Sequence, residues 1–421
     1  LAAPSRFPAS CDVAIVGAGA AGLAAAIFTR RRNAQRSVVL LEGQRKPGAK
    51  ILISGGSRCN VTNKIVSEHD FWGGRSTVVR RVLRAFPVDD TVQFFRDIGV
   101  PLHVEPGGKL FPDSNRARDV LDALLREADR VGVTLVCGLR VLDISASGGG
   151  FHVTTSSGTL RSERVVLATG GQSLPKTGSD GAGFLFARRL GHSVVPTTPG
   201  LVPLVLDETD AEPLHRQLTG VAQDVELTVW IEGAVAIRLL GPLLWTHFGA
   251  SGPAAMNASR HWLRAQLNGQ PVSITVNFLP GRSFDAVDHQ WTGLSGGRTG
   301  TTLHHALSTM VPASVAAALV ARLGLNGRQP LAHLARDDRR RLVHALVAWP
   351  LAVVGTRGYN YAEVTAGGVT LTEIDPGTMQ SRKCPGLYLV GEILDVDGRI
   401  GGFNFQWAWS SAHVAGEALG R

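Results

Sequence analysis

Asp12-Val-Ala-Ile-Val-Gly17-Ala-Gly19-Ala-Ala-Gly22 decides the fold of this chain. A short apolar run, Val13 to Val16, meets a Gly17-x-Gly19-x-x-Gly22 turn that opens an alanine-rich helix. A second apolar run, Ser37 to Leu41, ends on Glu42, twenty residues beyond Gly22. Strand, glycine turn, helix, strand and acid in this order form a dinucleotide-binding unit. Gly17 permits the tight turn, Gly19 lets backbone approach a pyrophosphate, and Gly22 lets helix and strand pack closely. The helix start at Ala20 and Ala21 offers unpaired N–H groups to phosphate oxygens. Glu42, followed by Gly43, is placed to accept hydrogen bonds from the ribose of the adenosine half.

The run from Val13 to Phe28 is not read as a membrane span. It holds three glycines and is shorter than the roughly 20 apolar residues a span needs. Leu1 to Ser10 offers only Arg6, without the basic and cleavage regions of a secretory signal, and the missing Met suggests a processed start. With 421 residues, two or three domains are expected. Fifty glycines exceed the usual ~7% share and suit a protein that wraps a long cofactor with backbone. A net charge of +9 raises the question of nucleic acid, but no basic run carries interleaved aromatics. Arg30, Arg31 and Arg32 fall where the first helix should end, and cations there complement the helix dipole. Arg339 to Arg341, after Asp337 and Asp338, read as a solvated helix face, so a nucleic-acid partner is not favoured. Cys11, Cys59, Cys137 and Cys384 are far apart, which excludes a local redox dithiol or zinc knuckle and fits the reduced cytoplasm. No metal site is expected.

Two further strand–glycine signals follow. Arg164 to Gly171 reads as a buried parallel strand turned by Ala168-Thr169-Gly170-Gly171. Gly386 to Val390 is a strand ended by Gly391-Glu392; Gly401-Gly402 then turns the chain into a helix from Asn404 to Leu419. Gly149 to Thr155 and Gly158 to Ser162 form a hairpin, and Arg116 to Val131 has helical spacing. Between these regions, Leu201–Leu206, Val225–Ile231, Ala234–Leu240 and Val272–Phe278 are short and strand-like. Residues 282–350 carry helical patterning. The expected fold is α/β: a Rossmann-like domain interrupted by a small antiparallel β-barrel and a helical subdomain. Its segments are 1–191 and 371–421 for the nucleotide domain, 192–280 and 351–370 for the barrel, and 281–350 for the helices.

One dinucleotide fingerprint with an additional ATGG turn and a C-terminal Gly-acid turn resembles the two-dinucleotide-binding-domain flavoproteins. A narrower likeness lies in Lys50-Ile-Leu-Ile-Ser-Gly-Gly-Ser-Arg-Cys-Asn-Val-Thr-Asn63 and Thr246-His-Phe-Gly-Ala-Ser-Gly-Pro253. Thr365-Ala-Gly-Gly-Val369, Gly391-Glu-Ile-Leu-Asp-Val-Asp-Gly398 and Gly401-Gly-Phe-Asn-Phe-Gln-Trp-Ala-Trp-Ser-Ser411 extend it. Together they resemble the YhiN/BaiN-like bacterial flavoproteins, with Ser57, Phe403 and Ala412 as small departures. The resemblance implies a resident FAD, with Lys50, Ser54, Gly55, Gly56, Arg58, Cys59 and Asn60 beside it. Arg58 is then a partner for the pyrophosphate or a substrate anion, or else a structural ion pair. Cys59 is more a small packed side chain than a reactive one. Ala168, Thr169, Gly170 and Gly171 line the cofactor, as do Gly391, Glu392 and Asp395. Glu392, Asp395 and Asp397 compete for the ribitol. Gly402, Phe403 and Asn404, next to Gly401, present N–H groups to the flavin pyrimidine edge, while Trp407 and Trp409 pack.

Flavin carries redox chemistry while the protein positions substrate and moves a proton. His247 is the first proton-donor candidate, with a structural role as the alternative; Tyr359 and Tyr361 are weaker ones. No second glycine fingerprint is visible, so NAD(P)H would visit the flavin as a transient donor. The expected activity is an NAD(P)H-linked, FAD-dependent reductase acting on a small molecule with an activated carbon–carbon double bond. A tRNA-modifying flavoprotein, or an oxidase or dehydrogenase of a small amine or alcohol, is the alternative.

Overall fold

The computed structural model describes residues 8–209, 213–297 and 300–421, with side chains of 294–297 excepted. The reading of Leu1 to Phe7 as a processed start lies outside the described residues. The chain divides into two compact units: Leu1–Pro199 with Ala362–Arg421, and Gly200–Tyr361. Residues 192–199 and 362–370, read from sequence as part of the insertion, therefore group with the nucleotide domain.

In the first unit β1 (Ser10–Val16) leads through α1 (Ala20–Arg32) to β2 (Val38–Glu42), then α2 (Ala49–Ser57) and α3 (Ala117–Arg130). β3 (Thr134–Cys137), β4 (Val141–Ser147), β5 (Gly150–Thr155) and β6 (Gly158–Leu167) follow, then β7 (Val194–Gly200). After the second unit the chain returns through β8 (Val364–Val369), β9 (Leu387–Leu389) and α4 (Phe403–Leu419). The sheet order is β3-β2-β1-β6-β5-β4, with β9 also on β6. β3, β2, β1, β6 and β9 run parallel. Val13 to Val16 sit between Val38–Leu41 and Arg164–Leu167, and Val13, Ala14 and Ile15 are wholly buried. Strands covered on both faces need such near-continuous apolar runs.

α1 is buried along Ala21 to Thr29, which explains its alanine content: small side chains let sheet and α4 both approach. At Gly416 on α4 a Cβ would stand 2.5 Å from that of Phe28. The Arg30 side chain bonds to the carbonyls of Ala34, Arg36 and Val131, so it ties down the end of α1. β7 and β8 pair with each other at the chain segments leading into and out of the second unit.

In the second unit all ladders are antiparallel. Their order is Trp349–Leu351, Val272–Asn277, Ala222–Ile231, Ala234–Thr246, Gly249–Ser251, Leu204–Leu206, Val353–Thr356. The first and last members are separated in the chain only by Ala352. Ala234–Thr246 outruns the expected Leu240 because Ala222–Ile231 keeps pairing with it as far as Leu244. Helices Phe284–Gly297, Leu303–Ser308, Ala313–Arg322 and Arg336–Val347 share an apolar core with the inward strand residues Val225, Leu227, Val229, Leu243 and Trp245. Among the described residues no helix is long and apolar enough to cross a membrane.

Candidate cofactor site

The three glycine turns read from sequence follow the carboxyl ends of adjacent strands β1, β6 and β9. Ala168 N–H donates to Val16 O at 2.9 Å, and Val390 N–H to Leu167 O at 3.1 Å, so the turns leave the sheet side by side. The crevice beyond parallel strand ends is where such folds bind ligands. A Cβ on Gly22 would lie 1.8 Å from Gly17 O, and one on Gly17 2.5 Å from Ala168 O; both positions exclude side chains by close packing. A Cβ on Gly19 meets nothing within 4 Å. No side chain caps α1, and its first turn holds no acid. An open backbone with uncapped N–H groups suits a pyrophosphate, so the residues present fit the dinucleotide.

Glu42 Oε2 accepts the Ala18 N–H at 2.9 Å, and Oε1 accepts Gln44 N–H at 2.8 Å. The carboxylate is thereby fixed against the fingerprint turn. Gly48 N–H donates to Ala18 O at 3.0 Å, which brings α2 to the same turn. The glycine-rich segment closes α2, where Ser54, Gly55 and Gly56 leave helical geometry. Cys59 adopts φ +63° and is fully buried. Burial pushes its thiol up to about 12, against a smaller pull from a hydrogen bond with Ser54. Such burial suits a packed thiol over a reactive one.

α4 organises the far end of the crevice. Its N-cap, Gly402, has no side chain to bond the first-turn N–H groups, and that turn holds no acid. At φ +94°, with a would-be Cβ 2.4 Å from Thr62 O, only glycine fits there. The Asn60 amide, oriented so that both its ends are satisfied, accepts from Gly402 N–H at 3.0 Å and donates to Thr62 O and Leu110 O. Trp409 Nε1 donates to Val61 O at 2.9 Å, and Trp407 Nε1 to Gly391 O at 3.1 Å. Thr62 Oγ1 donates to Gln406 Oε1 at 2.6 Å. Both tryptophans thus pack, as expected, and also bond the backbone of site turns. The Asn404 side chain is occupied differently: it bonds both N–H and O of Gly398, at 2.8 and 2.9 Å.

Glu392 is not an open acceptor. Its Oε1 takes Ser173 Oγ–H at 2.9 Å and Thr365 N–H at 3.0 Å, while Oε2 pairs with Lys50 Nζ at 2.8 Å. Lys50 also donates to Ser173 Oγ at 2.6 Å. Thr365 Oγ1 accepts from Gln172 N–H and Ser173 N–H. Ser173 was not legible in the sequence: it lies two residues past the ATGG turn and belongs to no motif. Asp395 and Asp397 are buried, at 8% and 2% exposure, beside the Phe71–Gly73 strand. Gly170 is in the left-handed region, and a Cβ there would meet Ser179 Oγ. Thr169 Oγ1 stands where a Cβ on Gly183 would, which packs the turn onto the following helix.

Arg58 is committed within the protein. It pairs with Glu105 at 2.6 and 3.2 Å, and its guanidinium lies 4.0 Å from the Phe111 ring centroid. Hydrogen bonding from Arg58 holds the half-buried Glu105 carboxyl below its ordinary range. In the second unit His247 is exposed and edge-on to Phe248, with centroids 5.1 Å apart. Tyr359 is half-buried, and Tyr361 stacks under Arg357 at 3.8 Å. Among the described residues no group of three or more His, Cys, Asp or Glu could hold a metal ion.

A glycine cradle at β1 and parallel strand ends that gather three turns define a Rossmann-type dinucleotide-binding protein. The chain belongs to the HI0933-like protein Rossmann domain family, which it matches over residues 11–418. It is 34% identical over 411 residues to a ribosomal RNA dihydrouridine synthase of Escherichia coli, covering 97% of this chain and 98% of that protein. It is 32% identical to a 3-dehydro-bile acid delta(4,6)-reductase of Clostridium scindens, covering 96% and 98%. Among solved structures, a 3-ketosteroid-delta4-(5alpha)-dehydrogenase of Rhodococcus jostii matches with TM-score 0.50 at 15% identity, covering 99% of this chain and 98% of that one.

Proposed function

We propose that this protein is an FAD-dependent reductase that adds hydrogen across a carbon–carbon double bond conjugated to a carbonyl. The observation that carries the reading is the convergence of the Gly19 cradle, the Glu392 turn and the uncapped α4 N-terminus along one sheet edge. Two relatives named for different substrates share this bond chemistry. A dihydrouridine is a uracil ring saturated at the bond conjugated to its carbonyl, and a bile acid delta(4,6)-reductase saturates a conjugated ring system.

Bound flavin supplies hydride transfer to and from its ring; the chain does the rest. Gly19 to Gly22 and Glu42 hold the adenosine diphosphate half. Phe403 and Asn404 direct N–H groups at the pyrimidine edge, where the helix dipole favours negative charge on the ring. His247 is the proposed proton donor to the substrate carbon beside the carbonyl, with Tyr359 as second candidate. NAD(P)H is the proposed source of electrons.

A second reading has a specific basis: relatives at 34% and 31% identity carry the name ribosomal RNA dihydrouridine synthase, and this chain has a net charge of +9. The double bond is then that of a uracil in ribosomal RNA, in place of the tRNA substrate considered from sequence. Anaerobic mixing with NADH and NADPH tests the common core, because failure of both to bleach flavin absorbance removes the reductase reading. Reoxidation by cyclic enones, against dihydrouridine formation in a ribosomal RNA transcript, then decides between the substrates.

A further inference from the structure

We propose that Lys50 is the cation that meets the cofactor pyrophosphate, and that Glu392 and Ser173 are positioning residues that aim it. The inference rests on the FAD reading above and assigns the charges within that site. Lys50, Ser173, Thr365 and Glu392 come from four separate stretches of chain and meet through bonds of 2.6 to 3.0 Å. Ser173 and Thr365 are wholly buried, while the Lys50 side chain keeps 26% of its exposure. An ammonium has three N–H donors. Two of them go to Glu392 Oε2 and Ser173 Oγ, which leaves one without a protein partner among the described residues.

Position selects the ligand chemistry. The Gly48 N–H bond to Ala18 O seats the start of α2 on the fingerprint turn. From there Lys50 extends to the turns after β6 and β9, across the strand ends that an extended dinucleotide follows. The other basic candidate, Arg58, is held by Glu105 and stacked on Phe111. A dianionic pyrophosphate is the group that accepts the third Lys50 N–H while Glu392 and Ser173 accept the other two. On this account Glu392 acts through Lys50 and not as the ribitol acceptor.

The sign of one substitution separates positioning from simple charge. In Glu392→Gln the amide oxygen is claimed by Ser173 and Thr365, and the NH2 then faces the Lys50 ammonium, donor to donor. Removing a negative charge near an anionic ligand should by itself tighten binding; losing the aim of Lys50 should weaken it. The experiment titrates FAD, by flavin fluorescence, and ADP, by calorimetry, into deflavinated full-length protein and its variants, with circular dichroism confirming folding. Lys50→Met should weaken FAD and ADP alike by about tenfold or more, as expected for a charge-assisted bond. Lys50→Arg should recover most of that loss, and Glu392→Gln should weaken both ligands about threefold or more. Unchanged affinities in Lys50→Met, tighter binding in Glu392→Gln, or a loss confined to FAD would each overturn the proposal. Wild-type protein that binds neither ligand would instead remove the FAD reading itself, a result visible before any variant is measured.

Discussion

Trp407 Nε1 donates to the carbonyl oxygen of Gly391 at 3.1 Å, although sixteen residues separate them in the chain. Through this bond α4 holds the turn that carries Glu392, and through Glu392 it fixes Lys50 and Ser173. Trp407 and Gly391 are both buried, so neither group can turn to water instead. Trp407→Phe should therefore leave the Gly391 carbonyl with only its longer bond from Leu394 N–H, at 3.3 Å, and cost about 1 kcal/mol. Trp407→Ala, which also opens a cavity, should cost about 3–5 kcal/mol. Urea unfolding gives both numbers, and the flavin content of purified protein should fall in the same order.

Gly19 and Gly22 should respond differently to the same methyl group. Gly22→Ala drives a Cβ to 1.8 Å from Gly17 O and should lower stability by more than about 2 kcal/mol. Gly19→Ala points into open space and should stay within about 1 kcal/mol of wild type. Its FAD affinity should nevertheless drop tenfold or more, because the methyl occupies the cofactor's place. Equal thermal stability of the two variants would contradict this division of roles.

The buried His192 bonds Glu373 through Nδ1 at 2.9 Å and Ser381 through Nε2 at 2.7 Å. Burial lowers its pKa below the ordinary 6.5, an effect that Glu373 offsets in part. The unfolded chain thus binds a proton here before the folded one does, and stability must fall as pH drops below 6.5. Burial would raise Glu373, but Lys383, Ser193 and His192 hold it down at about 2. Its contribution is complete above its ordinary 4.5 and is lost as pH falls from there toward 2. His192→Gln should flatten the loss of stability between pH 6.5 and 5 relative to wild type, as read from melting temperatures, and leave the steeper decline below 4.5.

Thiol chemistry should be slow. Burial pushes Cys11 to about 11 and Cys59 to about 12, and Cys384 is also buried. Only Cys137 is half-exposed. At pH 8, Ellman's reagent should label Cys137 first, with the other three following only on unfolding. Cys59→Ala should keep turnover within about twofold; a hundredfold loss would return Cys59 to the chemistry.

Arg58 and Glu105 form a pair with side chains 39% and 27% exposed, a setting in which ion pairs contribute about 0–1 kcal/mol. Arg58→Gln and Glu105→Gln should each change stability little and resemble one another in their effect on FAD binding. If Arg58 instead gripped a ligand anion, only its own substitution would weaken that ligand.

The parallel sheet and the glycine cradle are legible in the amino-acid chain, because both are written in local chemistry. An apolar run long enough for a buried strand, glycines at fixed intervals and an acid at the next strand end leave few backbones that satisfy them. Gly17, Gly19, Gly22 and Glu42 were legible for that reason, as was the turn at Gly402. Tertiary structure alone decided what each polar side chain is bound to. From sequence Arg58 is either an anion ligand or a structural ion pair, and Glu392 is one of three acids competing for the ribitol. The structure pairs Arg58 with Glu105, 47 residues away, and Glu392 with Lys50, 342 residues away. Ser173 has no motif at all and gains its place from Thr365 and Glu392. Hydrogen bonds between distant segments depend on which loops the sheet order sets side by side, and no spacing along the chain encodes that.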